Sequence, residues 1–240
     1  MADGRQAPSY GTPNWDMIQR WFAMPPEEDT EFWAVNLMKY REVARYADGR
    51  DTAATGKEAD DAYSPLGPLA AIGAVPVFHA DVAEQRVGSP VWDRIGIVRY
   101  PSRAAFFAMQ QRDDFKEAHT HKEAGMDTTI VMACHPTAHT DGNVVGTLVM
   151  TVEHLAGGAS PPADLPGVTT VADLSVEGVI VGDERTWDRV RVARAADAAA
   201  VDAVLTAAAA AEDAFAMVLS QPSVDRLVES IVTRPTTVEG

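Results

Sequence analysis

Hydrophobic and polar positions in the first half of the chain predict a strand, a helix, two strands, a helix and a final strand. In residues 32–40, for example, Ala34, Asn36, Met38 and Tyr40 fall on one face of an extended segment. The predicted strands are residues 32–40, 75–82, 92–100 and 128–134, and the predicted helical stretches are 56–73 and 103–118.

The second half carries a similar pattern. Strands are predicted at residues 144–152, 169–181, 187–195 and 226–233, and a long helix at 198–219. Apolar residues recur at helical spacing from Val201 to Val218, and the alanines at 207–211 supply helix propensity. Gly157-Gly158 and Pro161-Pro162 interrupt the stretch where the first helix of a second copy would stand, so that helix is expected to be missing or vestigial.

A sequence repeat links the two halves at a fixed offset of 95 residues. Trp92-Asp93-Arg94-Ile95-Gly96-Ile97-Val98-Arg99 recurs as Trp187-Asp188-Arg189-Val190-Arg191-Val192-Ala193-Arg194, with four identities and two exchanges of Ile for Val. Each copy runs into a polar residue, Ser102 or Asp197, that is suited to cap a following helix. The chain is therefore expected to contain one unit twice.

The order of elements in each unit, βαββαβ, is that of the ferredoxin-like arrangement. Helices cover one face of such a sheet and leave the other face bare and apolar. Two units in one chain can press these bare faces together, which closes a barrel with helices outside. We therefore predict an α+β fold of two tandem ferredoxin-like units, residues 31–140 and 141–240, that form an intrachain dimeric α+β barrel. Residues 1–30 are an N-terminal extension, with an amphipathic helix at 15–24.

Composition excludes several classes of function. The 240 residues include 20 Lys+Arg and 35 Asp+Glu, a net charge of −15, so nucleic acid and anionic membrane surfaces are unlikely partners. The single cysteine, Cys134, excludes an intramolecular disulfide and multi-cysteine metal sites. No apolar run approaches the length of a membrane span and the first residues lack signal-peptide features, so a cytoplasmic location is expected.

Four short runs carry a family resemblance. They are Asn36-Leu37-Met38-Lys39-Tyr40-Arg41, Gly56-Lys57-Glu58-Ala59, Gly88 followed four residues later by Trp92, and Arg99-Tyr100-Pro101-Ser102-Arg103-Ala104-Ala105-Phe106. These runs resemble the dimeric α+β barrel superfamily, and more closely its small uncharacterised bacterial members, which are related to the EthD and antibiotic-biosynthesis monooxygenase families. The resemblance covers residues 31–137 well and residues 143–236 as a degenerate second copy.

In that superfamily two copies usually meet as a homodimer, so the resemblance implies a fused pseudo-dimer. Its members include cofactor-free oxygenases, isomerases, cyclases, dehalogenases and haem enzymes, and kinship alone does not fix the chemistry.

The first unit holds most of the residues suited to chemistry. All six histidines lie between residues 79 and 154, and most of the large aromatic rings also lie in the first unit. We expect the first unit to carry the site, in a pocket between its sheet and its helices, and the second unit to act as scaffold. The alternative is that the second copy has merely drifted in composition.

Four residues are assigned catalytic roles. His79 and Asp81 lie two residues apart on a strand and so share a face, and a histidine oriented by a carboxylate is a suitable general base for a phenol or an activated carbon. A solvated histidine at a strand end is the alternative. Asn36 and Tyr63 are expected to hold the oxygen that gains charge, although Asn36 could instead bond to a neighbouring strand or loop.

Five further residues are assigned to substrate binding: Tyr40, Trp92, Tyr100, His119 and His121. His119 and His121 would point apart on a helix, which argues against a shared metal ion. No metal site is assigned. A loop site made of His135, His139 and Asp141, or a haem-ligating histidine, remains an alternative.

The sequence thus predicts an enzyme that acts on a small apolar or aromatic molecule without a nucleotide cofactor, since glycine-rich nucleotide motifs are absent. The expected reaction is oxygenase- or isomerase-like and begins with proton abstraction, as in a cofactor-independent monooxygenase or an isomerase/cyclase. A non-catalytic ligand- or haem-binding barrel protein is the alternative. The expected partner is a small-molecule ligand, and a homodimer of the pseudo-dimeric chain is a further expected association.

Overall fold

A closed eight-stranded antiparallel β-barrel forms the centre of the molecule. The computed structural model describes residues 8–140, 144–155, 165–211 and 213–232. The barrel strands are β2 (Phe32–Tyr40), β3 (Val75–Val87), β4 (Arg94–Tyr100), β5 (Met126–His139), β6 (Thr147–His154), β7 (Val168–Gly182), β8 (Arg189–Ala195) and β9 (Asp213–Leu219). They follow the order β7-β5-β2-β4-β3-β9-β6-β8, and β8 pairs with β7 to close the ring.

Two short strands and seven helices complete the part of the chain that the structure describes. β1 (Thr12–Pro13) pairs with β7, and β10 (Val224–Asp225) pairs with β3. The helices are α1 (Trp15–Phe22), α2 (Gly56–Ala62), α3 (Leu66–Ala71), α4 (Arg103–Gln111), α5 (Asp113–Gly125), α6 (Ala198–Ala208) and α7 (Leu227–Val232). No helix of these described ranges is long and apolar enough to cross a membrane.

The barrel interior is a packed apolar core. On β2, Trp33, Val35 and Leu37 face inward and join inward residues of all the other barrel strands, while Phe32 and Ala34 face outward under helices. Because apolar side chains cover both faces of the strands, the sheet is buried on both sides, as in a layered α/β fold. The space inside the barrel is therefore filled, and any ligand site between layers must lie on the outer faces.

The two halves of the barrel repeat one strand order. Counted along each half, the order across the sheet is fourth, first, third and second strand: β5-β2-β4-β3 in the first half and β9-β6-β8-β7 in the second. The β5–β7 and β3–β9 pairings join the halves.

The Trp-Asp-Arg repeat occupies matching places in the two halves. The amide N–H of Asp93 donates to the carbonyl oxygen of Met38 (2.8 Å), and that of Asp188 donates to Glu153 (3.0 Å). The carbonyl oxygens of the two aspartates accept from Val82 and Val176, each at 2.9 Å. The predicted helix caps also match. The side chain of Ser102 accepts from the amide N–H of Ala105, and that of Asp197 accepts from the amide N–H of Ala200, three residues later in each case.

The prediction of an antiparallel barrel with outer helices is confirmed at this level, and residues 32–40 form a strand as predicted. The helix predicted for residues 198–219 is wrong, because α6 ends at Ala208 and residues 213–219 form β9. In β9, Phe215 and Met217 face the barrel interior and Ala214 and Ala216 face α6. Because both faces of β9 are apolar, its sequence lacks the alternation of apolar and polar residues that would have indicated a strand.

Three other predicted elements differ. The strand predicted at 226–233 is wrong, since α7 lies there and packs Leu227, Val228 and Ile231 against the interior core. The helix predicted at 103–118 divides into α4 and α5 at Arg112, and the stretch 56–73 divides into α2 and α3. The missing first helix of the second copy was predicted from residues that lie largely outside the described ones.

Candidate functional site

The outer face of the first half carries a polar compartment beneath α2 and α5. We call it the outer compartment and define it by Asn36 on β2, Gly96 on β4, Tyr63 at the end of α2, and His119 and Lys122 on α5. It continues into an apolar cluster that contains Phe32, Ala34, Tyr100 and Phe115. Three of the predicted site residues, Asn36, Tyr63 and His119, are therefore brought together.

Three residues that pair across neighbouring strands form the floor of the outer compartment and its margin. Asn36 pairs with Gly96 across β2 and β4, and Gly96 pairs with His79 across β4 and β3. Directly paired residues in a sheet project to the same face, so Asn36 and His79 lie on the same face on either side of Gly96. Two strand spacings separate their backbones by about 10 Å.

The terminal methyl of Met38 lies directly above Gly96. A Cβ atom placed on Gly96 would meet only the terminal methyl of Met38, at 3.3 Å. That methyl is the end of a flexible side chain and can move aside. A ligand that lies over Gly96 would therefore take the place of the Met38 methyl.

The amide of Asn36 is fixed by the sheet. Its Nδ2 donates to the carbonyl oxygens of Ala34 (3.2 Å) and Gly96 (3.3 Å), and its Oδ1 lies 3.5 Å from the Nζ of Lys122. Both N–H groups that we had assigned to a substrate oxygen are thus engaged with backbone, which is the alternative that the sequence had left open. Asn36 presents an acceptor, and this acceptor faces the ammonium group of Lys122.

Lys122 was not singled out by the sequence, yet it is the cation at the centre of the outer compartment. Its Nζ lies 5.8 Å from the ring centroid of Tyr10 and 5.7 Å from that of Tyr63. Burial lowers the pKa of Lys122, and the charges of Asp60 and Glu123 oppose this effect. A signal was readable in α5, where Phe115, His119 and Lys122 recur at helical spacing and so line one face.

His119 closes the compartment on the side of the N-terminal segment. Its Nε2 lies 3.1 Å from the hydroxyl of Tyr10, and its ring stacks on Phe115 at 5.1 Å. Its buried Nδ1 has no hydrogen-bond partner among the described residues. Burial raises the pKa of Tyr63 well above its usual value, so the Tyr63 hydroxyl keeps its proton and can donate it in a hydrogen bond.

His79 lies at the margin of the floor, but Asp81 does not orient it. The Nδ1 of His79 is 2.7 Å from the hydroxyl of Ser223, which precedes β10. Asp81 instead accepts from Lys57 and Arg94, each at 2.7 Å. Burial lowers the pKa of His79 and the Arg94 charge lowers it further, so the imidazole is neutral at neutral pH and can accept a proton.

Tyr40 and Asp81 belong to an ionic cluster around Arg94 rather than to the compartment itself. Arg94 is buried, and it donates to Asp60 (2.9 Å), Asp61 (2.7 Å) and Asp81. The hydroxyl of Tyr40 donates to Asp60 at 2.6 Å. This cluster ties α2 to the sheet and so holds Tyr63 in place.

The remaining predicted site residues are dispersed. Trp92 lies on the inner side of the barrel, against Phe215, and so does not line the compartment. Tyr100 lies on the outer face, where it stacks on Phe32 at 5.4 Å. His121 points away from His119, as predicted, and lies 2.7 Å from the hydroxyl of Tyr46.

Of the residues considered for a metal site, His135 lies beside a carboxylate. His135 is 2.8 Å from Glu177, and Asp141 lies outside the described residues. Within the described part of the chain, no group of three or more His, Cys, Asp or Glu side chains could hold a metal ion.

The second half has a cavity of about 20 Å³ between its sheet and α6. Its wall includes Thr151, Glu153 and Arg191, and one carboxylate oxygen of Glu153 lacks a hydrogen-bond partner among the described residues. A volume of this size holds about one water molecule. The cavity is therefore too small for an aromatic substrate.

Comparison with known proteins gives little on function. No protein-family model matches the chain, and no curated protein matches it. It is similar to a Rhodopseudomonas palustris protein of unknown function, with 24% identity and a TM-score of 0.45 over 52% of this chain and 95% of the other. A methylated form of that protein gives 26% identity and a TM-score of 0.46 over 52% and 93%.

A third solved structure is described as a "putative monooxygenase" from Lactobacillus acidophilus NCFM. It has 13% identity and a TM-score of 0.40, over 82% of this chain and 97% of the other.

Proposed function

We propose that the protein is a small-molecule enzyme whose outer compartment binds an apolar or aromatic substrate and removes a proton from it. No nucleotide cofactor takes part in the proposed reaction, which is oxygenase- or isomerase-like. The observation that carries the proposal is the row Asn36–Gly96–His79, in which a glycine without a side chain separates a neutral histidine from the polar groups beneath α5.

His79 is the proposed general base. The Ser223 hydroxyl donates to the carbonyl oxygen of His79 (3.3 Å), so the Nδ1–H of His79 would donate to the Ser223 oxygen and Nε2 is the atom left to accept a proton. Ser223 takes the positioning role that the sequence had given to Asp81. Tyr63 and the Lys122 side of the compartment would face the oxygen that gains charge when the proton leaves.

The proposed fold behind this site is a fused pair of ferredoxin-like units, residues 31–140 and 141–240, after an N-terminal extension of residues 1–30. The matching strand orders and the matching hydrogen bonds of Asp93 and Asp188 support it. The tyrosine, histidine and lysine side chains that meet beneath α5 in the first half support the first unit as the active one.

Proton removal can be tested without knowing the natural substrate. The protein is incubated in D₂O with a panel of phenols and 1,3-dicarbonyl compounds, and deuterium incorporation at the activated carbon is followed by NMR. The wild type is expected to accelerate exchange for at least one compound, and His79→Gln is expected to abolish the acceleration. His121→Gln is the matched control, because His121 lies outside the compartment.

Unchanged exchange in His79→Gln would show that this histidine is not the base. Tight binding of panel compounds with no exchange in the wild type would favour the non-catalytic ligand-binding alternative. A Soret band after haem supplementation would favour the haem-binding version of that alternative.

A further inference from the structure

Lys122 differs from the other three lysines of the chain in its electrostatic partner. Lys39 lies 3.7 Å from Asp93, Lys57 lies 2.7 Å from Asp81, and Lys116 lies 3.7 Å from Asp113. Among the described residues, no carboxylate lies within 4 Å of Lys122. Lys122, whose pKa is lowered by burial, is thus the lysine without an ion-pair partner among the described residues.

The groups around Lys122 stabilise its charge only in part. The nearest acceptor is the Oδ1 of Asn36 at 3.5 Å, which is longer than a normal hydrogen bond. The rings of Tyr10 and Tyr63 supply cation–π attraction from two sides. A buried ammonium group needs a charged partner to offset the loss of hydration. The charges of Asp60 and Glu123 act on Lys122, but neither carboxylate forms an ion pair with it.

The fixed amide of Asn36 strengthens this reading. Its Nδ2 is held by two backbone carbonyls of the sheet, so a rotation of the amide by 180° would place two oxygen acceptors against its own oxygen. The sheet therefore keeps the Asn36 oxygen directed at Lys122. Asn36 is a positioning residue that holds the lysine ammonium over the floor.

We propose that Lys122 binds the anionic oxygen of an acidic ligand, so that the substrate class of the outer compartment is a small aromatic acid. The carboxylate would pair with Lys122, and the Tyr63 hydroxyl would stay available for the oxygen that gains charge in the proposed reaction. The ring would lie over Gly96, where only the Met38 methyl occupies the space, and would extend toward His79. The inference rests on the proposed function only for the use of this site in a reaction; the binding of the acid stands separately.

Matched acid and amide ligands test the proposal. Binding of 2-naphthoate and of 2-naphthamide is measured by titration calorimetry at neutral pH. A charge-assisted hydrogen bond predicts that the wild type binds the acid at least about tenfold more tightly than the amide. Lys122→Met should remove this preference, Lys122→Arg should keep part of it, and Lys116→Met is the control that should not change it.

The same experiment contains the outcomes that overturn the proposal. An acid preference that survives in Lys122→Met, or equal binding or no binding of the two ligands by the wild type, contradicts it. If Lys122→Met fails to fold, as judged by circular dichroism, NMR of the ¹⁵N-labelled wild type decides, since the lysine ammonium signal of Lys122 must shift with the acid and not with the amide.

The proposal and the proposed function fail separately. In His79→Gln the acid preference should persist while proton exchange is lost. If no compound is exchanged but the preference depends on Lys122, the acid site stands and the proposed reaction does not.

Discussion

The side chains of Asp93 and Asp188 accept the same backbone hydrogen bond in the two halves of the barrel. One carboxylate oxygen of Asp93 accepts from the amide N–H of Tyr40 at 2.7 Å, and one of Asp188 accepts from that of Leu155 at 2.6 Å. In each case the donor lies two residues after the residue whose carbonyl oxygen accepts from the aspartate's own amide, Met38 for Asp93 and Glu153 for Asp188. The repeated Trp-Asp-Arg motif thus fixes the end of the first strand of each half.

Removing either carboxylate should destabilise the barrel by a similar amount. Asp93→Ala and Asp188→Ala each leave a strand-end N–H without its acceptor, so each should lower the free energy of unfolding by about 1–2 kcal/mol. Urea unfolding followed by circular dichroism measures both. A large loss in one variant and none in the other would contradict the equivalence of the two halves.

Filling the position above Gly96 should block the compartment without unfolding the protein. Gly96→Val places atoms where only the Met38 methyl now lies, so it should weaken 2-naphthoate binding at least about tenfold. The free energy of unfolding should change by about 1 kcal/mol. Gly67→Val is the matched control, because a Cβ there meets no atom within 4 Å. If Gly96→Val binds 2-naphthoate with wild-type affinity, the ligand does not lie over Gly96.

Glu177 should make stability depend on pH in the acid range. Burial raises the pKa of its carboxyl group, but hydrogen bonds from His135 and Trp21, together with Arg103, outweigh this and lower the pKa to about 2. Because the folded-state pKa lies below the unfolded-state value, the contribution to stability is present above the ordinary glutamate pKa and is lost as the pH falls toward about 2. The full contribution is at most about 3 kcal/mol.

The variant Glu177→Gln tests this contribution. It should be less stable than the wild type at neutral pH, and its unfolding free energy should change less than that of the wild type between about pH 4.5 and pH 2. Chemical denaturation at a series of pH values measures both effects. Parallel pH profiles of the two proteins would show that Glu177 does not titrate as described.

The sequence was informative where a signal is local or where a motif recurs. The caps at Ser102 and Asp197 were predicted because helix capping depends on residues next to each other in the chain. β9 was mistaken for helix because its two faces are both apolar and it follows an alanine-rich helix. Its strand state is imposed by pairing with β3 and β6, which closes the barrel and cannot be read locally.

Only some residues of the candidate site could be predicted from the sequence. The sequence placed His79 and Asn36 on strands of the first half, but their common face follows from the strand pairing, and their side-chain partners lie on segments distant in sequence. Ser223 lies 144 residues from His79, and Lys122 lies 86 residues from Asn36. The predicted pairing of His79 with Asp81 is not formed, because Lys57 and Arg94 donate to the Asp81 carboxylate instead.

The most direct test of the account is a crystal structure of the protein soaked with 2-naphthoate. The account predicts electron density for the ring over Gly96, with the carboxylate within hydrogen-bond distance of the Nζ of Lys122. Density beneath α6 in the second half, or a ligand bound in the first half with its carboxylate away from Lys122, would contradict it.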